Sequence, residues 1–241
     1  MTMILVLLIG LFAGTLAGLV GFGGTTILLP ILTLQFGPKA AVPIMAIASV
    51  LGNFARVLAW WRVIRWRAAA AYSATAIPSA WLGARTMLSL DPVILELALG
   101  LFFLAMIPLR RWFATTGIRV TLFGLGCAGA ALGFLTGIVS NTGPINTPFF
   151  LAHGLSKGAF IGTEAMASLT MFLSKVIAIR SDGALPVELI WNGLVVGVSL
   201  MIGTYLAATY LRTMEEKTFR GLMDGLLFVA GVAMISSALV N

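Results

Sequence analysis

The sequence predicts an all-α integral membrane protein made of two inverted-topology repeats, each a broken or re-entrant helix pair followed by three transmembrane helices. Three observations lead there. Of 241 residues 60% are hydrophobic and only 10% charged, with a mean hydropathy of +1.06, whereas about a quarter of a soluble globular chain is charged. Apolar stretches of helical length recur along the whole chain. They lack the alternating polarity of barrel strands and leave no stretch over for a soluble domain. Finally, the glycines repeat: Gly10, Gly14 and Gly18 recur as Gly129, Gly133 and Gly137, and Gly24 as Gly143, each about 119 positions later, half the chain length.

The first repeat, 1–115, opens with "MTMILVLLIGLFAGTLAG", which lacks the positive start of a secretory signal and is expected to stay as a membrane helix over 3–20. The run "GFGGTT" breaks it, because glycine costs a helix about 1 kcal/mol relative to alanine and frees backbone groups for other partners. A short apolar piece follows at 26–36, then longer helices at 40–61, 68–88 and 92–109. The second repeat, 116–241, runs the same way: 120–138, the break "SNTGPINTP", a short piece at 145–152, then 159–179, 187–211 and 219–239. At about 1.5 Å per residue, neither short piece spans a hydrocarbon layer of about 30 Å. The match extends to "PILTLQFGPKA" against "PFFLAHGLSKG", to Ser49 against Ser168, and to Arg56 against Lys175.

Orientation follows from the basic clusters "RVIRWR" (62–67) and "RRWFATTGIR" (110–119), both expected on the cytoplasmic side. Helix 40–61 then enters the cytoplasm while its partner 159–179 leaves it, which is the inversion. Both termini are expected outside and the chain in the inner (cytoplasmic) membrane, multi-pass. The net charge of +7 is explained by cytoplasmic anchoring rather than by a nucleic-acid partner. The single cysteine, Cys127, excludes an internal disulfide, and its apolar neighbours make it a packing residue. With one histidine and no cluster of ligating side chains, neither metal nor cofactor is expected. His153 reads as a cap or core residue, and no nucleophile with a base points to an enzyme.

In transporters built from inverted repeats, broken helices meet near the midplane and direct free N–H groups at an anion. The first break would offer mainly backbone, at Gly21, Gly23 and Gly24, with the Thr25 and Thr26 hydroxyls. The second, with Asn141, Thr142, Gly143, Asn146 and Thr147, would offer side-chain donors. Close packing and helix capping are the alternative use of such residues. A charge inside an apolar helix costs at least about 2.5 kcal/mol. Arg56 and Lys175 therefore read as one anion-attracting cation per vestibule, or as cations that snorkel to the interface. Glu164, two turns into its helix, carries a proton or neutralises Lys157 or Lys175.

"GLVGFGGTTILLPIL", "PKAAVPIMAIAS", "LGARTMLSL" and "TGPINTPFFLAHGLSKGAFIGTEAMASL" together resemble the sulfite exporter TauE/SafE family over essentially the whole chain. The resemblance implies a carrier of small sulfur-containing anions, sulfite or sulfonates, moved outward, with Gly21, Gly23, Gly24 and Pro30 matching the glycine motif and Gly143 and Pro148 its second copy. The second copy departs from the family pattern in having "SNTGPINT" where a glycine run is expected. The expected partners are thus a small anion and the lipid bilayer. A channel-like anion pathway, or a carrier of carboxylates or another small solute, remain the alternatives.

Overall fold

A computed structural model describes residues 3–20, 24–115, 119–139, 142–155 and 157–210, together with Phe228, Val232 and Ile235. Nine α-helices and no strand occur among the described residues: α1 (Met3–Val20), α2 (Gly24–Phe36), α3 (Pro38–Trp60), α4 (Trp66–Ser89), α5 (Pro92–Thr115), α6 (Leu122–Val139), α7 (Gly143–Ala152), α8 (Lys157–Ser181) and α9 (Val187–Tyr210). The expected helix at 219–239 lies outside the described residues except at Phe228, Val232 and Ile235, which are helical.

Both short helices begin two residues before the expected start, so Gly24 and Gly143 are themselves helical. At 13 and 10 residues they are about 20 and 15 Å long. α3 starts at Pro38, because a proline at the first helical position gives up an N–H that would have no partner there. α5 continues six residues past its expected end, to Thr115. Arginine and alanine are good helix formers, so the helix outlasts the apolar run and carries Arg110 and Arg111 on it rather than in a loop.

Among the described residues, five stretches are long and apolar enough to cross a membrane: Pro38–Val63, Pro92–Leu109, Leu122–Val139, Gly158–Ser181 and Val187–Ala207. α4 is 24 residues long but is not one of them. Its mean hydropathy is lowered by Tyr72, Ser73, Thr75, Pro78, Ser79 and Arg85, while its small residues form its packing face: Ala68, Ala69, Ser73, Ala76, Ala80 and Ala84 are all buried.

The helices interlock across the two sequence halves. α4 lies against α6, and α1 against α9. α3 packs on α9, α8 on α4, and α3 on α8. Exchanging the halves leaves this set of pairs unchanged. The repeated glycines supply the close approach. A methyl group on Gly14 would run into the backbone of Leu200 in α9, and one on Gly133 or Gly137 into the backbone of Ala76 or Ala80 in α4. Between membrane helices lipid is as apolar as leucine, so contact of this kind, rather than water exclusion, holds the pairs together.

Matched glycines also stop the short helices. Gly37 after α2 has φ 77° and Gly154 after α7 has φ 90°, a left-handed conformation in which a Cβ is strained. His153 caps α7, its Nδ1 donating to the Val120 carbonyl at 2.8 Å. The Arg85 guanidinium of "LGARTMLSL" clasps Asp182 just past α8, at 2.9 and 3.0 Å, and its hydrogen bonds hold that carboxyl below its usual range. Cys127, expected to pack inside, is exposed on α6. The glycines on either side of that turn take the contact with α4 instead.

Candidate functional site

Polar side chains recur at helical spacing along the faces where α3 and α8 meet. Ser49, Asn53 and Arg56 stand at i, i+4 and i+7 of α3. Glu164, Ser168 and Lys175 stand at i, i+4 and i+11 of α8, which is one face of each helix. All six are buried. Arg56, 7% exposed, donates through Nη1 to Glu164 Oε2 at 2.9 Å. Its other nitrogen Nη2 donates to Asn53 Oδ1, and Asn53 Nδ2 donates to the Ser49 carbonyl at 2.7 Å. Ser168 donates to Glu164 Oε1 at 2.6 Å. Removing two charges from a polar medium is costly, and these extra hydrogen bonds are what makes a buried pair tolerable.

The second break enters the same cluster. Asn146, one turn into α7 and 1% exposed, hydrogen-bonds Glu164 through its side chain. It accepts from the Tyr72 hydroxyl of α4 at 2.8 Å, and the Tyr72 ring leans on Phe150 with centroids 5.2 Å apart.

Beside it lies a second group. Lys175 is fully buried and its Nζ donates to the Thr136 carbonyl at 3.0 Å. That carbonyl is among the last four of α6, which have no partner within their own helix. The Thr136 hydroxyl meets the hydroxyl of Thr142, the residue that precedes α7. An ammonium thus sits between the end of α6 and the start of α7. The first turn of α7 itself is poor in backbone donors. Pro144 carries no N–H, and those of Ile145 and Asn146 bond to the Thr142 carbonyl at 2.9 and 2.8 Å.

Of the residues singled out from sequence, Arg56, Glu164 and Asn146 are brought into one network, and Thr142 and Lys175 into its neighbour. Thr25, near the start of α2, lies 3.5 Å from the Ser49 hydroxyl. Gly24 packs against Ala17 and Leu200, and Thr147 turns its hydroxyl to the Gly143 carbonyl at 2.9 Å. Gly21, Gly23 and Asn141 lie outside the described residues, as does the side chain of Thr26. Glu164 pairs with Arg56 rather than with Lys175, and the side chain of Lys157 lies outside the described residues. Neither Arg56 nor Lys175 snorkels: each head group is held inside. Sequence reading missed Tyr72 and Asn53. The one available signal for Tyr72 was a phenol in the middle of an alanine-rich membrane helix, where its hydroxyl needs a partner. Among the described residues no three His, Cys, Asp or Glu side chains converge as a metal site would require.

A family model described as sulfite exporter TauE/SafE matches residues 6–234. Comparison with curated proteins and with solved structures found no match.

Proposed function

Because the chain belongs to the sulfite exporter TauE/SafE family, a family of membrane transporters of sulfite and related anions rather than of enzymes, we propose that its own cargo is sulfite or an organosulfonate. On this reading the anion leaves the cell across the cytoplasmic membrane by alternating access. The halves 1–115 and 116–241 are inverted relative to each other, with the basic segments 62–67 and 110–119 inside, and they rock about the crossing of α3 and α8. Support for two related halves comes from the set of helix pairs, which survives their exchange, and the inversion itself rests on the placement of the basic segments.

The observation that carries the anion site is the buried Lys175 ammonium beside Thr142 at the opening of α7. A short helix adds roughly half a positive charge at its N-terminus. Together they suit a small oxyanion, to which the Thr142 hydroxyl, donated to Thr136 in this structure because Thr136 donates to the Leu132 carbonyl, would have to turn. The Thr25 end of α2, in the same half as α3, reaches Ser49 on the α3 face that carries Arg56. Export needs no coupled ion, since an inside-negative potential contributes about 2.3 kcal/mol per exported negative charge per 100 mV.

Lys175→Met keeps an unbranched side chain only one atom shorter and removes its charge. In proteoliposomes loaded with sulfite it is expected to reduce efflux at least tenfold while the purified protein stays monodisperse. Wild-type efflux from this variant would refute the site.

A further inference from the structure

We infer that Tyr72 is a positioning residue of the transport site, acting through Asn146, and that Asn146 tethers α7 rather than binding the cargo. The Asn146 amide is held at both ends. Its Oδ1 accepts from Tyr72 of α4 at 2.8 Å, and the side chain also donates to Glu164 of α8. Glu164 is in turn fixed by Arg56 of α3 at 2.9 Å and by Ser168 at 2.6 Å. An amide offers an anion only its N–H₂ end. Here that end meets a carboxylate, whose charge repels an approaching oxyanion. The cluster therefore does for α7 what its ten residues cannot do alone. It pins the first turn of a helix too short to span the membrane to three long helices, and so sets where Thr142 stands relative to Lys175. Cargo contacts fall on the Thr142 and Lys175 side of that turn, and the Asn146 side is mechanical.

Tyr72→Phe isolates the claim, because it keeps the ring against Phe150 and deletes one hydroxyl. Two readouts are used on the full-length protein. Amide hydrogen exchange over 143–148, recorded without any cargo, is expected to speed up about fivefold, the loss of one net hydrogen bond. Sulfite efflux is expected to show KM raised about fivefold with the maximal rate within twofold. Adding Tyr72→Phe to Asn146→Leu should change neither readout further, since the hydroxyl acts only through that amide. Unchanged exchange in Tyr72→Phe, or a full additional effect on top of Asn146→Leu, would overturn the inference. The kinetic arm rests on the proposed cargo and the exchange arm does not, so a wrong cargo and a wrong tether give different patterns.

Discussion

At the scale of single residues, the strongest energetic feature is the Arg56–Glu164 pair, buried on both sides. Deleting one member leaves the other charge desolvated and alone, which costs about 3–5 kcal/mol, whereas deleting both in favour of apolar residues is close to neutral. Glu164→Leu is therefore expected to lower stability in detergent by that amount, and Arg56→Met combined with Glu164→Leu to recover most of it. Denaturant titration of the two variants beside the unaltered protein checks this, and equal losses in the single and double variants would contradict it. Sequence alone exposed both charges, because a charge in an apolar helix stands out whatever it binds. It could not expose their pairing, which joins positions 108 apart, and nearness along the chain suggested lysines instead. Tyr72 and Asn53 left a weaker mark, since neither carries a charge and an uncharged polar side chain is a common packing residue in membrane helices.

At the scale of helices, the apolar runs located every described element, and the repeated glycines marked α1 and α6 as the helices that approach others most closely. What they approach was not legible: the partners are α9 and α4, each from the opposite half. Boundaries slipped where composition and propensity part company, as at the end of α5. The glycines also differ among themselves. A Cβ on Gly133 would lie 2.7 Å from the Ala76 carbonyl oxygen, but one on Gly126 would lie 3.5 Å from the Ala71 carbonyl oxygen, an ordinary contact. Gly133→Ala should therefore force α4 and α6 apart at a cost of about 1–3 kcal/mol, while Gly126→Ala on the same helix should be neutral or slightly stabilising. Thermal unfolding of the two variants separates them, and equal midpoints would contradict this account of the packing.

At the scale of the whole molecule, the half-chain repeat was visible as spacing, and the interlocked pairing gives that spacing a mechanical meaning. Neither half packs only on itself: α4 on α6, α1 on α9, α3 on α9 and α4 on α8 cross between the halves as α3 on α8 does, so the rocking proposed above has to shift all five contacts. At the α3–α8 contact the buried Arg56–Glu164 pair lies beside α7, and Lys175 lies on the same face of α8, 11 residues from Glu164. Gly21 and Gly23 of the first break lie outside the described residues, so what the structure adds concerns the second break. Its partition into a cargo-facing part at Thr142 and Lys175 and a tether at Asn146 needed the third dimension, because it depends on Tyr72 and Glu164 arriving from other helices. The central claim is that this chain exports a small sulfur oxyanion by alternating access. It is tested most directly by counterflow of isotopically labelled sulfite in proteoliposomes. The account predicts saturable uptake that is accelerated by unlabelled sulfite inside the vesicles and lost in Lys175→Met. Flux that rises linearly with concentration and ignores internal sulfite would contradict it.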